Sequence, residues 1–294
     1  MTSSTPLQQT ANGALQIDLA TIEAAANRIR PHIFKTPLLE SPRLNDFLGR
    51  RLLVKAEALQ HTGSFKLRGA TNAVWSLDDG VRHVVAFSSG NHAQGVARAV
   101  TTRGLKATII MPEDTPATKI EGTKGYGAEV VTYDRYTESR EEIGEALSQK
   151  YNANLIKPYD DVRVIAGQGT VGLEIARQAS VMGVVPDALI CCCGGGGLIA
   201  GTSIALHAHF SKTKIWCAEP EFYDDTKRSL ETGNIERAQT DKTSICDAIV
   251  TPAPGQLTFP VNRQHLSGGA VVSDQQVLKT IATLFKHLKI IVEP

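Results

Sequence analysis

ALICCCGGGGLIAG, residues 188–201, is the stretch that decides the fold. Ala188 to Cys193 is a short apolar run of strand length, and it stops at Gly194, Gly195, Gly196 and Gly197. From Ile199 to Phe210 the apolar spacing is helical. Consecutive glycines between a strand and a helix let several backbone N–H groups converge on one anion, because a side chain would block both the tight turn and the close approach. At the carboxyl end of a strand in an alternating chain, such a turn is placed to grip a phosphate.

The same alternation runs outward in both directions. Helical periodicity is expected over Asp18–Arg30, Pro42–Leu48, Ala93–Arg103, Ser139–Lys150, Gly172–Ala179 and Asp274–Lys289. Strand-like runs fall at Leu52–Ala56, Val84–Phe87, Ala107–Met111, Glu129–Tyr133, Asn154–Ile156 and Ile215–Ala218. Helices alternating with short β-branched runs predict an α/β fold built on largely parallel sheets. Two ends carry local signatures: Ser41-Pro42 is an N-cap followed by proline, and Ser273 with Gln276 forms a capping box.

The 294 residues suffice for two lobes sharing a substantial core. Thirty-one basic against 30 acidic residues leave a net charge of +1, which gives no field for nucleic acid or an anionic membrane. No apolar stretch approaches membrane-spanning length, and the first residues carry no signal-peptide pattern and read as a poorly ordered tail. The five cysteines form no disulfide or zinc pattern, so the chain reads as reduced and cytoplasmic, with Cys191, Cys192 and Cys193 filling a buried strand.

Three further segments carry chemistry. In Thr62-Gly63-Ser64-Phe65-Lys66-Leu67-Arg68-Gly69, Gly63 permits a turn, Ser64 is the expected N-cap, and Lys66 falls in the first helical turn. There the helix dipole and any burial disfavour the ammonium, and only a neutral amine attacks a carbonyl. In Ser88-Ser89-Gly90-Asn91-His92, small polar residues end a strand and open a helix, a second place for backbone N–H groups to hold a carboxylate or phosphate. After the strand ending at Ala218, Glu219 to Asp225 offers carboxylates for magnesium or calcium, or else a solvated acidic turn. Gly167 to Gly172 matches the GxGxxG dinucleotide fingerprint, but Asp187 precedes the next strand instead of ending it, so close helix packing is the better reading.

Taken together, TGSFKLRGA, SSGNHAQG, VIAGQGTVGLE, CGGGGLIAG, AEPEFYDD and the terminal VEP resemble the fold-type II pyridoxal-phosphate enzymes of the threonine/serine dehydratase and serine racemase group. The likeness runs from about Ile22 to the last residue. It implies a two-lobed α/β body with a large lobe from 1–80 and 161–294 and a small lobe from 81–160. By the resemblance Lys66 would form the internal aldimine with pyridoxal 5'-phosphate, Phe65 would pack beside the ring, and Asn91 would bond the phenolic oxygen. Gly194 to Gly197 would hold the phosphate, while Ser88, Ser89, Gly90 and His92 would cradle the substrate carboxylate. Ser89 matches the serine that exchanges a proton opposite the lysine in racemases, and Arg140 an arginine that closes on substrate. Glu219, Asp225 and the Tyr223 carbonyl match ligands of a divalent cation such as Mg2+.

The activity expected is dehydration of a small β-hydroxy amino acid, threonine, serine or 3-hydroxyaspartate, to a keto acid and ammonia. The aromatic Tyr159 after Pro158 favours this over racemisation at the same site. A nicotinamide-dependent oxidoreductase and a catalytically impaired ligand-binding relic are the rivals from other classes. Family likeness implies a homodimer. The apolar Ile290-Ile291-Val292 after the last helix wants a sheet neighbour, and the resembled family places its pyridine-nitrogen contact beyond the VEP, so the chain reads as truncated at its C-terminus.

Overall fold

The computed structural model describes residues 17–88 and 90–294. The leading stretch read as a tail, and Ser89, lie outside the described residues. Helix α1 (Leu19–Ile29) starts at a capping box in which Asp18 and Thr21 exchange hydrogen bonds, and it buries Ile22, Ala25 and Ile29 on one face. Strands β1 (Leu38–Glu40) and β2 (Leu53–Lys55) pair antiparallel around α2 (Pro42–Leu48), which Ser41 caps as expected and Gly49 ends at φ +63°. A single 3-10 turn over Glu57–Leu59 then leads to α3 (Lys66–Trp75).

Two parallel sheets follow. β3 (His83–Phe87), α4 (Asn91–Thr102), β4 (Lys106–Pro112), α5 (Ala117–Gly125), β5 (Glu129–Tyr133), α6 (Arg140–Tyr151) and β6 (Asn154–Ile156) make a four-stranded sheet of order β5-β4-β3-β6. After α7 (Val162–Val181) come β7 (Ala188–Cys192), α8 (Gly197–His209), β8 (Lys214–Pro220), α9 (Asp225–Thr232), α10 (Thr258–His265), β9 (Gly268–Val272) and α11 (Asp274–Leu288), with sheet order β7-β8-β9. Each sheet has its own apolar core. Val84, Ala86, Ile109 and Met111 pack on α3 and α4, whereas Ile215 and Cys217 pack on Val171, Ile175, Ile199 and Leu206. Among the described residues no helix is long and apolar enough to cross a membrane.

The chain leaves β3 toward β4 and β5, then returns to pair β6 on the other side of β3, with Ala86 opposite Ile156. That reversal opens a crevice at the carboxyl ends of β3 and β6, the place where open α/β sheets bind ligands. The two segments leaving it are Ser88–Asn91 and Lys157–Tyr159.

The fingerprint stretch lies inside α7, not at a strand-to-helix turn. A Cβ on Gly167 would stand 2.6 Å from the Cα of Gly69 on α3, and one on Gly172 would stand 2.5 Å from the Thr202 carbonyl on α8. These glycines bring three helices into backbone contact, and their N–H groups serve the helix. The nicotinamide reading therefore fails on geometry, and the packing reading holds.

A buried charge network locks the same helices. Arg68, with no exposed surface, bonds Glu57 at 2.8 Å and Glu174 at 2.9 Å, and Lys55 reaches Glu174 at 2.6 Å. Burial opposes the guanidinium charge, yet the hydrogen bonds it donates to the Glu174 and Glu57 carboxylates hold its pKa above the ordinary value. This fixes α3 two residues beyond Lys66.

Candidate active site

Lys66 begins α3, where Ser64 Oγ accepts its backbone N–H at 3.3 Å; Phe65, not Ser64, takes the cap position. The Lys66 Nζ donates to the Pro158 carbonyl at 3.2 Å and lies 5.4 Å from the centre of the Phe65 ring. Burial pushes its pKa down to about 8, partly opposed by the charges of Cys192 and Glu293. An amine in that range is neutral in a useful fraction of molecules near neutral pH, as carbonyl attack requires.

Facing it is the turn from Gly194 to Gly197, which with Phe65, Pro158 and Tyr159 lines one cavity. Gly196 takes φ +88°, and a Cβ on Gly195 would sit 2.3 Å from the Tyr159 ring. Thr258 Oγ1 donates to the Gly195 carbonyl at 2.6 Å and Asn262 Nδ2 to the Gly196 carbonyl at 3.5 Å. With those carbonyls tied to α10, the free N–H groups of the first turn of α8 are the turn's remaining polar edge, and an anion belongs there. The cradle therefore fits the phosphate of pyridoxal phosphate, and Lys66 fits its aldehyde.

From the β3–α4 segment, Asn91 lines the larger cavity together with Lys66. Ser88 Oγ accepts the Gly90 N–H at 3.2 Å, and Asn91 opens α4. His92 sits underneath, 2 % exposed, with Nε2 at 3.3 Å from the Ile156 carbonyl. A carbonyl only accepts, so Nε2 carries the proton and Nδ1 is bare; that nitrogen is buried without a partner. Burial and the Lys66 charge push the pKa of His92 down to about 3, so the ring is neutral. Arg140, the first residue of α6, lies with its guanidinium 5.0 Å from the Phe87 ring at the end of β3 and bonds Glu141 at 2.9 Å.

The pyridoxal-phosphate dependent enzyme family matches residues 29–294. The chain belongs to that family. It is 43% identical over 272 residues to the L-threo-3-hydroxyaspartate ammonia-lyase of Saccharomyces cerevisiae, covering 92% of this chain and 82% of that one. The serine racemase of Dictyostelium discoideum is 38% identical over 281 residues, covering 95% and 85%. Among solved structures, a T.th. threonine deaminase superposes with a TM-score of 0.90 at 46% identity, covering 94% of this chain and 89% of that chain. This chain is accordingly a fold-type II pyridoxal-phosphate enzyme, a lyase of the dehydratase kind.

In this pyridoxal-phosphate enzyme the carboxylates of Glu219 and Asp225 stand together, both buried. Glu219 caps α9 by accepting the N–H groups of Thr226 at 2.9 Å and Lys227 at 2.8 Å. Burial lifts Glu219 to about 6, and burial with the Glu219 charge lifts Asp225 to about 7. The Asp225 Oδ2 is buried with no hydrogen-bond partner, and Tyr223 lies between the two in sequence with its hydroxyl on the Lys242 carbonyl at 2.8 Å.

Two residues of the site escaped the sequence reading. Cys192 does not fill a core: it is exposed and lines the cavities beside Lys66, while Cys191 is half-buried and Cys193 buried. Alternation along β7 puts successive side chains on opposite faces, and a run of three cysteines hides that alternation. Glu293 lines a cavity of about 310 Å³ with Lys66 and Cys192, and its carboxylate accepts a hydrogen bond from Asn91. Its place in a motif was visible, but its reach to α4 was not.

Proposed function

We propose that this enzyme dehydrates a small β-hydroxy amino acid, threonine, serine or 3-hydroxyaspartate, and releases the keto acid and ammonia. The observation that carries the reading is the Lys66 amine, lowered to about 8 and held at the mouth of the four-glycine turn. Support for the substrate class comes from two relatives named L-threo-3-hydroxyaspartate ammonia-lyase, 43% and 41% identical, and from the solved threonine deaminase.

In this reading Gly194 to Gly197 would hold the cofactor phosphate, Lys66 would be the amine for its aldehyde, Phe65 would pack beside the ring and Asn91 would donate to its phenolic oxygen. When bound, the cofactor ring supplies a sink for charge developing at the substrate α-carbon. The Ser88 hydroxyl, with Ser89 and Gly90, would receive the substrate carboxylate above the neutral His92, and Arg140 would swing from Phe87 to close on it. Lys66 Nζ would take the α-proton as general base. Returning that proton, Lys66 Nζ would let the β-hydroxyl depart as water, and the released enamine would hydrolyse to a keto acid and ammonia. Segment 81–160 acts as the small lobe closing over the large lobe of 1–80 and 161–294. Glu219, Asp225 and the Tyr223 carbonyl hold a divalent cation such as Mg2+, with the orphaned Asp225 Oδ2 as the supporting observation. The enzyme works as a cytoplasmic homodimer.

The test is release of keto acid and ammonia from threonine, serine, 3-hydroxyaspartate and a phenyl-bearing analogue, with mass mapping of the borohydride-reduced adduct. Turnover of at least one substrate, loss of it in Lys66→Ala and an adduct on Lys66 are expected. Epimerisation without keto acid would instead establish the racemase reading, which needs Ser89 opposite Lys66.

A further inference from the structure

We propose that Glu293 is a positioning residue that fixes which end of the Asn91 amide faces the cofactor; the proposal rests on the pyridoxal-phosphate reading above. Asn91 begins α4 at the rim of the crevice. Its side chain has a donor end and an acceptor end of nearly equal shape, so a simple turn of the amide exchanges them. With the nitrogen toward the cleft it donates to an anionic oxygen. With the carbonyl there, it repels one.

The contact across the site removes that ambiguity. Asn91 Nδ2 donates to Glu293 Oε1, joining residues 202 apart in the chain. An ionised carboxylate has acceptors and no donor, so it pairs with the NH2 end alone. The NH2 group carries two hydrogens. One goes to Glu293, and the other is left for an acceptor on the cavity side. Glu293 and Asn91 line the same cavity as Lys66, whose charge Glu293 also supports.

A purely structural role would look different. Glu293 is exposed, so its carboxylate needs no partner to offset burial, and a single exposed polar contact contributes little to stability. The Glu293 effect should therefore appear at the cofactor, through Asn91, and not in the melting temperature of the cofactor-free protein.

The experiment compares the full-length wild type with Glu293→Gln, Glu293→Asp, Asn91→Ala and the double variant Asn91→Ala/Glu293→Gln. It reads the position and pH titration of the visible cofactor band, the dissociation constant for pyridoxal phosphate, and the melting temperature. A glutamine at 293 offers a donor as well as an acceptor, so the Asn91 amide loses its preference. Expected are about tenfold weaker cofactor binding, a band shifted in the same direction as in Asn91→Ala, and partial rescue by Glu293→Asp. In the Asn91→Ala background, Glu293→Gln should add nothing further. An unchanged band and affinity in Glu293→Gln, or an undiminished effect in the double variant, overturns the proposal. A wild type that binds no cofactor overturns the pyridoxal-phosphate reading itself, and the proposal with it.

Discussion

Lys66 and Pro158 meet across the crevice: the amine at the head of α3 donates to the carbonyl that follows β6 at 3.2 Å. One hydrogen bond thus ties this lysine to the segment that leaves the four-stranded sheet.

Cofactor capture should depend on pH through this amine. Its pKa is lowered from the ordinary lysine value to about 8, and only the neutral form attacks an aldehyde. The rate of colour formation after mixing cofactor-free protein with pyridoxal phosphate should rise about tenfold per pH unit below 8 and level off above it. A rise continuing to the ordinary lysine range would show the amine to be unperturbed, and a flat profile would show that its protonation does not limit capture.

Gly195→Ala should cripple the phosphate cradle. The new methyl would lie 2.3 Å from the Tyr159 ring, so either the turn or the ring has to move. Cofactor affinity, followed by absorbance titration, should fall at least tenfold, corresponding to about 1.4 kcal/mol or more. Adding Tyr159→Ala should recover part of that loss; no recovery would place the clash elsewhere.

Arg68→Leu removes the cation from a pocket holding Glu57 and Glu174. Leaving two part-buried carboxylates short of their partner should destabilise the fold by about 3–5 kcal/mol, measured by urea unfolding. A loss below about 1 kcal/mol would mean that Lys55 compensates alone.

Magnesium should raise the melting temperature of the wild type, because a cation bound to the folded state stabilises it by mass action. Asp225→Asn and Glu219→Gln should each abolish the increment. Equal increments in both variants would move the ion to another site.

The chemistry-bearing segments were legible because each is contiguous. The four glycines, Lys66 with its preceding turn, and the polar end of β3 act through neighbours in the chain, and local rules suffice to read them. Elements held only by tertiary packing were not. The first half of α7, VRVIAGQGTV, combines β-branched residues with glycine and is a poor helix former alone; it is helical because α3 and α8 enclose it. The helix α10 carries Pro260 in its first turn, where proline is tolerated although it reads as a breaker. Strand β9 opens with Gly268 at φ +153° and Gly269, whose missing side chains make room for Trp216 and for Cys217. The pairing of Asn91 with Glu293 has no local signal at all.

Strands β3 and β6 are hydrogen-bonded neighbours, and they deliver Ser88–Asn91 to one side of the crevice and Pro158–Tyr159 to the other. In the closure proposed above, a swing of that sheet would carry the amide donor at 91, the carbonyl restraining the lysine and the ring leaning on the glycine loop together. Seizing a substrate and letting go of the amine would then be two readings of a single mechanical displacement.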